Sequence, residues 1–296
     1  MVADTVRGIM ANDHPDFEVR VIDQSAGDDS EAALAEWKGD TRFHYTRTST
    51  EGLARARNIG VGQAGAEIVA MTDDDCQVPT DWLRRIDAAF SASERIGIVF
   101  GNVLPASHDS AQGFISSYRR KTRFVATGMR DKSKVEGIGA CMGIRTRVWK
   151  SLGGFDQMLG AGSEFSSADD TDFVIRALLA GYEVCETPEV HVVHHGFRTW
   201  REGSALIRGY LFGIGAMLAK HIRCGNWSVF RVVRALAYRW TFEQPVVEFG
   251  FVPARSMRLS GFLRGFVAGS IAPIDRKGGV FVVPAQFSSR SRPAPT

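Results

Sequence analysis

The sequence predicts an α/β fold with three layers and a largely parallel sheet. Three observations support this prediction. Strand-like and helix-like segments alternate through the first half of the chain, which is typical of a sheet covered by helices. Hydrophobic residues make up 44% against 23% charged, as in ordinary globular proteins. A chain of 296 residues is long enough for one large domain, or a domain with an appendage.

The elements of the first half are predicted from their composition and end signals. Short runs rich in Val and Ile indicate strands, and amphipathic segments bounded by Gly, Pro or Asp indicate helices. Gly65 ends one helix, because a residue without a Cβ suits the left-handed C-terminal position, and Pro79 begins another. The predicted order is helix 2–12, strand 17–25, helix 28–38, strand 42–48, helix 52–65, strand 66–75, helix 79–93 and strand 96–106.

The second half is less regular. The stretch 108–136 is polar and basic, and its segment 117–124 is predicted to be a loop or a mobile helix. The later elements are a strand and helix within 137–156, a helix over 167–184, a strand over 190–197 and basic helices after Trp200. We therefore divide the chain into an α/β domain (1–200), a helical, basic region (201–288) and a disordered tail (289–296).

Charge is unevenly distributed although the net charge is only +3. Between Phe197 and Gly265 eleven basic residues face only three acidic ones. Such a skew suits anionic lipid, a phosphorylated ligand or a solvated helical face, and no nucleic-acid-binding motif accompanies it. The region is expected either to lie at a membrane interface or to form a helical subdomain packed on the α/β domain.

Cysteine spacing and apolar runs bound the location of the chain. The four cysteines show no C-x-x-C spacing, so neither a zinc site nor a disulfide framework is expected. Asp4 and Arg7 interrupt any signal-peptide core, and the clean apolar run Tyr210–Ala219 is about half of the roughly 20 residues that span a bilayer. The expected location is the cytoplasm, with peripheral contact at the inner face of the membrane.

Two acidic clusters are the candidate functional residues. Asp73, Asp74 and Asp75 follow an apolar strand, and ligands in open α/β sheets bind beyond the carboxyl ends of strands. An Asp-x-Asp there can hold Mg²⁺ or Mn²⁺ against phosphate oxygens, although acidic turns are also common without a metal. Asp169, Asp170 and Asp172 precede an apolar helix. One Asp would cap that helix, so at least one remains for chemistry.

Five segments in order, "VIDQS", "GLARARNIG", "VAMTDDDCQVPTDWL", "GGFDQMLGAG" and "SADDTDFVIRALLAGYEV", together with "HHGFRTW", carry a resemblance. Over about two thirds of its length the chain resembles family 2 glycosyltransferases of the GT-A fold. The resemblance implies a nucleotide-diphosphate sugar donor, a hydroxyl acceptor that is a saccharide or lipid-linked, and a divalent metal, Mn²⁺ or Mg²⁺. It further implies inversion at the anomeric carbon and a role in cell-surface polysaccharide or glycan biosynthesis.

The resemblance also assigns roles to residues. Asp170, the second residue of an acidic pair, becomes the catalytic base. Asp23, Arg57, Asp73 and Asp74 bind the nucleotide sugar. Asp73, Asp75 and a histidine, His195 or its neighbour His194, hold the metal. Asp156 and Asp169 belong to the acceptor side.

One departure from the family and two alternatives remain at this stage. The chain begins at the helix that follows the family's first apolar strand, so we expect a sheet that lacks one inner strand or repairs it with another segment. The first alternative function is a Mg²⁺-dependent phosphohydrolase or nucleotidyltransferase, although Gln77 does not match a dehalogenase-like motif. The second is a catalytically impaired relative that binds nucleotide without turnover.

Overall fold

The structure, a computed structural model, describes residues 1–242 and 255–284. The predicted tail 289–296 lies outside these residues. The helices are α1 (Val2–Met10), α2 (Asp29–Ala33), α3 (Leu53–Gln63), α4 (Trp82–Ser91), α5 (Thr146–Leu152), α6 (Asp169–Leu179), α7 (Trp200–Arg223), α8 (Phe230–Phe242) and α9 (Arg255–Ile271). The strands are β1 (Val19–Asp23), β2 (Phe43–Arg47), β3 (Ile68–Thr72), β4 (Cys76–Gln77), β5 (Ile96–Pro105), β6 (Gly113–Ile115), β7 (Phe124–Ala126), β8 (Cys141–Arg145), β9 (Glu183–His194), β10 (Phe197–Thr199), β11 (Ile274–Asp275) and β12 (Val280–Phe281).

Six strands form the central sheet, in the order β3-β8-β5-β9-β4 with β7 paired to β9. Among the pairings described for this sheet, only β5 with β9 is parallel; β8 runs antiparallel to both β3 and β5. The expectation of a largely parallel sheet is therefore wrong. The segment 117–124, predicted to be a loop or mobile helix, is irregular up to Phe124, where β7 begins; the stretch 108–136 around it contributes β6 and β7 and no α-helix. An antiparallel neighbour needs no helical crossover, so β8 can enter the sheet without one.

The sheet has a hydrophobic core on each face. Successive residues of a strand point to opposite faces, and β5 shows this directly. Ile98 and Phe100 pack in the core with α5, α6 and α7, whereas Val99 and Val103 pack in the core with α4. The three-layer α/β prediction is confirmed.

The first two strands stand apart from the central sheet. β1 and β2 pair in parallel and share a small core with α1, made of Val6, Val19, Leu34 and Phe43. Among the described strands, β1 pairs only with β2 and β3 only with β8. Every residue of β1 and β3 lines a cavity of about 1480 Å³. This cavity thus separates the two sheets.

The C-terminal helices share the core of the α/β region. Helix α7 begins with a capping box, in which the Thr199 side chain accepts from the Glu202 amide and Glu202 binds back to the Thr199 amide. Its residues Ala216, Met217 and Leu218 belong to the same core as α6. The run Tyr210–Ala219, which we considered for a membrane interface, is therefore mostly buried in protein. Across residues 1–242 and 255–284, no helix combines the length and apolar character that crossing a bilayer requires.

Candidate active site

The first acidic cluster lies where β3 ends. Asp73, Asp74 and Asp75 form the turn between β3 and β4, and all three line the cavity. Helix α1 holds this turn, since the Thr5 hydroxyl donates a hydrogen bond of 2.8 Å to the Asp74 carbonyl. Strand β4 pairs with the end of β9, which places His194 opposite Cys76 and beside the cluster.

Asp75 and His194 form a close polar pair. The His194 Nε2 lies 3.2 Å from Asp75 Oδ1, and its Nδ1 lies 2.9 Å from the Ser116 carbonyl oxygen. Burial disfavours the charged imidazole, but contacts with Asp75 and the Ser116 carbonyl outweigh it, and the pKa of His194 is raised. Burial likewise opposes ionisation of Asp75, and the imidazole overrides it, so the pKa of Asp75 is lowered.

Of the two histidines predicted as the metal ligand, His194 lies at the cavity and His195 does not. Consecutive residues at a strand end point in opposite directions. His194 lines the cavity, whereas the His195 ring lies 3.3 Å from Gln77 Oε1 and is absent from the cavity lining. Two adjacent histidines give the sequence no means of choosing between them, because the choice depends on the register of β9 with β4.

The second acidic cluster opens onto the same cavity from α6. Asp169 and Asp170 lie in the first turn of this helix, and both line the cavity. Asp170 Oδ2 accepts a hydrogen bond of 3.1 Å from the Gly139 amide, and its Oδ1 accepts one of 2.5 Å from the Thr171 amide. Both bonds come from backbone groups, so they hold the carboxylate in place at the cavity wall.

Arg57 on α3 links the two clusters. Its Nη1 donates to Asp169 Oδ2 at 2.6 Å, and its Nη2 lies 3.9 Å from Asp73 Oδ1. The guanidinium also lies over the Phe155 ring, 5.8 Å from its centroid. Burial, reinforced by Asp170 and opposed by Arg57, raises the pKa of Asp169 to about 6. Arg57 is thus the buried cation between carboxylates that are 96 residues or more apart in sequence.

Asp23 lies at the carboxyl end of β1, on the opposite side of the gap from β3. Its carboxylate accepts from the Ser25 amide at 2.7 Å, the Ser25 hydroxyl at 2.9 Å and the Tyr45 hydroxyl at 2.5 Å. Burial opposes its ionisation, but these donors prevail and lower the pKa of Asp23. Asp23 lines the same cavity, so the structure brings together all four residues predicted to bind the nucleotide sugar.

Asp156, predicted for the acceptor side, lies elsewhere. It is buried and absent from the cavity lining, and its Oδ2 accepts from Lys220 Nζ at 2.6 Å and from the Phe281 amide at 2.9 Å. Lys220 Nζ also lies 2.6 Å from Asp172 Oδ1, and both side chains are fully buried. The physical role of Asp156 here is to join α7 to the core, which replaces its predicted acceptor contact.

The same network contains residues that the sequence reasoning missed. His221 Nε2 lies 2.8 Å from Asp172 Oδ1, and Arg176 Nε donates to Asp172 Oδ2 at 2.8 Å. Burial opposes the charge on Asp172, but its cationic neighbours lower the pKa strongly. The signal was present in "AMLAKHIR", because a Lys-His pair inside an apolar run is a mark of buried, paired charges.

Two further residues extend the cavity wall beyond the predicted set. Arg198 on β10 and Tyr210 on α7 both line the cavity. Burial raises the pKa of Asp75, and Arg198 adds to the larger opposing effect of His194, which lowers it. It stands in the quoted segment "HHGFRTW", to which we assigned only a histidine.

The residues around Asp75 fit a divalent cation. Ligand atoms of Asp75, Cys76 and His194 lie within 4.8 Å of one another. The 3.2 Å between Asp75 Oδ1 and His194 Nε2 matches two ligands of one ion with bonds of about 2.0–2.2 Å. Burial raises the pKa of the Cys76 thiol to about 12, so sulfur is the poorest of the three ligands. A carboxylate oxygen suits Mn²⁺ or Mg²⁺, and an imidazole beside it favours Mn²⁺ over Mg²⁺.

The comparison with known families identifies the family of the chain. The sequence model described as "Glycosyl transferase family 2" matches residues 1–153, more than half of the chain. The chain belongs to glycosyl transferase family 2. It is a glycosyltransferase with the GT-A fold, and its two acidic clusters occupy the cavity of that fold.

Its relatives in sequence are distant and partial. This glycosyltransferase is 32% identical over 72 residues to an uncharacterized glycosyltransferase of Rickettsia conorii, covering 24% of this chain and 12% of the relative. It is 24% identical over 151 residues to the poly-beta-1,6-N-acetyl-D-glucosamine synthase of Staphylococcus epidermidis, covering 51% of this chain and 36% of the relative. The chain therefore spans about a third or less of the length of these curated relatives.

Solved structures share the fold over most of the chain. A mannosyltransferase from Pyrobaculum calidifontis in complex with GDP-Man and Mn²⁺ superposes with a TM-score of 0.59 at 20% identity, over 92% of this chain and 72% of that one. Residues 1–349 of S. aureus TarS in complex with UDP-GlcNAc give a TM-score of 0.61 at 14% identity, over 90% and 77% of the two chains. At these identities the likeness establishes the fold.

Proposed function

We propose that this glycosyltransferase moves a sugar from a nucleotide-diphosphate donor to an acceptor hydroxyl, with a divalent metal and with inversion at the anomeric carbon. One observation carries the proposal. Asp73–Asp75 and Asp169–Asp170 lie far apart in sequence but line one cavity, with Arg57 between them. A cluster that suits a phosphate-bound cation and a separate carboxylate suited to accept a proton are the two parts that this reaction needs.

Each group would have a distinct part in the reaction. Asp23 would bind the nucleoside, and Asp73, Asp75 and His194 would hold the cation that neutralises the diphosphate. The acceptor hydroxyl loses its proton to Asp170 as its oxygen bonds to the anomeric carbon, while the bond from that carbon to the diphosphate breaks. The nucleoside diphosphate then leaves with the bonding electrons. A base on the face opposite the leaving group gives inversion.

The surroundings of Asp170 support this role. Its two backbone donors fix the carboxylate, and general-base catalysis by such a group contributes about 10²–10⁴-fold to the rate. Asp169 is already paired with Arg57, which leaves Asp170 as the member of the pair that is not bound to a cation at hydrogen-bond distance. Asp169 is therefore a positioning residue in this proposal.

The decisive experiment compares two Asp→Asn variants. Asp170→Asn should bind UDP or GDP with Mn²⁺ as the parent does, measured by calorimetry, and turn over sugar donors at least 100-fold more slowly. Asp29→Asn is the matched control, since Asp29 also lies in the first turn of a helix but outside the cavity, and its turnover should be unchanged. Turnover within tenfold of the parent in Asp170→Asn would remove Asp170 from the role of base.

The donor, the acceptor class and the location complete the proposal. Solved structures with a similar fold contain GDP-Man or UDP-GlcNAc, so the first assay is a panel of GDP-linked and UDP-linked sugar donors. The acceptor would be a saccharide or a lipid-linked sugar of cell-surface polysaccharide or glycan biosynthesis, used on the cytoplasmic side of the membrane. The configuration of the new glycosidic bond, read by NMR, tests inversion directly.

A second candidate is nucleotide binding without turnover. It is favoured by the separation of β1 from β3, because the nucleoside and phosphate parts of the site lie on strands that are not hydrogen-bonded to each other. Calorimetry that shows nucleotide binding, together with no donor turnover across the panel, would favour this candidate.

A further inference from the structure

Helix α9 carries an apolar stripe on its solvent side. Leu259, Leu263, Val267 and Ile271 recur at four-residue spacing and are 52%, 50%, 61% and 80% exposed. Residues spaced by four lie above one another on a helix, so the stripe is continuous and about 18 Å long at 1.5 Å per residue. Large aliphatic side chains exposed singly are ordinary, whereas a contiguous row of four indicates a contact surface.

The other side of α9 is fixed against α7. Gly261, Gly265 and Gly269 are buried, and a Cβ at Gly265 would lie 1.9 Å from the Phe212 carbonyl oxygen. This close contact determines how the helix is rotated, so the stripe cannot turn inward without breaking the α7–α9 interface. The exposure of the stripe is therefore a consequence of the packing.

The charge around the stripe selects its partner. Helix α9 contains no acidic residue, and Arg264 is exposed next to Leu263. Just beyond its end Asp275, Arg276 and Lys277 are exposed, so the exposed charge described at this helix is net positive. A second copy of the chain docked on the same face would bring basic residues against basic residues, whereas an anionic bilayer offers both apolar chains and negative headgroups.

We propose that α9 lies in the interface of an anionic lipid membrane, with Leu259, Leu263, Val267 and Ile271 inserted among the acyl chains and Arg264 at the headgroups. This places membrane contact on α9 and not on the apolar run of α7, which is buried. The proposal does not depend on sugar transfer, and it can be tested on protein that has no substrate.

The test is flotation of the purified full chain with vesicles. The parent should bind vesicles of phosphatidylcholine with 30% phosphatidylglycerol, bind pure phosphatidylcholine at least tenfold more weakly, and lose binding to the anionic vesicles as salt rises. The variant Leu263→Ser/Val267→Ser should bind the anionic vesicles at least tenfold more weakly. Leu179→Ser, which removes an exposed leucine at the end of α6, should bind as the parent does.

The melting temperature and the molar mass in solution distinguish membrane contact from a stripe that is covered by protein. The double variant should melt at the parent temperature, because the side chains it changes are solvent-exposed. Loss of thermal stability in this variant with no vesicle binding by the parent would show that the stripe is covered by protein, and would overturn the proposal. So would a dimer, found by light scattering, that dissociates in the double variant. Nucleotide binding measured without vesicles is a separate readout, so failure here leaves the proposed function intact.

Discussion

Replacing Lys220 by Met tests whether the buried charge network holds the site together. Lys220 is fully buried, with its Nζ 2.6 Å from both Asp156 Oδ2 and Asp172 Oδ1. Counting Arg176 as the second cation, the parent network is balanced at two positive and two negative charges if His221 is neutral. The variant leaves one uncompensated negative charge in the protein interior. Breaking a buried pair in this way costs about 3–5 kcal/mol.

This loss would be a large part of the stability of the chain. Native domains unfold with about 5–15 kcal/mol, and every 1.4 kcal/mol is tenfold in the ratio of folded to unfolded protein. Lys220→Met should therefore shift that ratio by about two to four orders of magnitude. Asp172 lies two residues after Asp170, so the folded fraction should also turn over donor more slowly.

Urea denaturation of three proteins measures the effect. Lys38→Met is the matched control, because Lys38 makes an ion pair of 2.9 Å with Glu31 on the surface, where such pairs contribute little. Lys220→Met/Asp156→Asn should recover part of the lost stability, since the double change removes the excess negative charge. A Lys220→Met variant as stable as Lys38→Met would refute the argument that this network is a closed set of buried charges.

Three other changes have definite expected outcomes. Burial lowers the pKa of His221 below its ordinary value of 6.5 despite its carboxylate partner, so the unfolded chain takes up this proton more readily than the folded one. As the pH falls below about 6.5 the parent should therefore lose stability relative to His221→Gln, by at most about 1.4 kcal/mol per pH unit. Urea denaturation of both proteins at pH 7.5 and 5.5 measures this difference. Gly265→Ala would place a Cβ 1.9 Å from a backbone oxygen of α7 and should lower the melting temperature, whereas Gly128→Ala meets open space and should not. Gly139→Ala would place a Cβ 2.2 Å from the Arg57 guanidinium, so it should slow donor turnover by the folded protein. A fall in turnover that is fully explained by a smaller folded fraction would contradict this.

The sequence reveals the ends of strands better than the neighbours of strands. The alternation of elements predicts β3 and its acidic turn, because an apolar run followed by carboxylates has a local cause. It does not predict that β8 enters between β3 and β5, since pairing joins residues such as Met71 and Met142 that no local pattern connects. The antiparallel sheet was missed for this reason.

The same limit explains which of the predicted site residues line the cavity. Asp73, Asp75 and Asp170 stand at element ends, and such ends gather at one edge of the sheet whatever the register of the strands. His194 and His195 differ only in which side of β9 they face, and that depends on pairing with β4. Asp156 stands in an equally plausible turn, but its burial depends on Lys220, 64 residues later. Only tertiary structure decides such cases.

Helix α3, together with α1, joins the two ends of the proposed donor site. Asp23 and Asp73 stand on strands of separate sheets, so no ladder of backbone hydrogen bonds fixes one relative to the other. Helix α3 packs on β1, and its Asn58 Nδ2 donates to the Phe155 carbonyl at 2.8 Å, which attaches β1 to the core of the main sheet. One residue earlier, Arg57 reaches both acidic clusters. The helix that positions the nucleoside end therefore also supplies the cation between the phosphate end and the base, so a shift of α3 would disturb all three together.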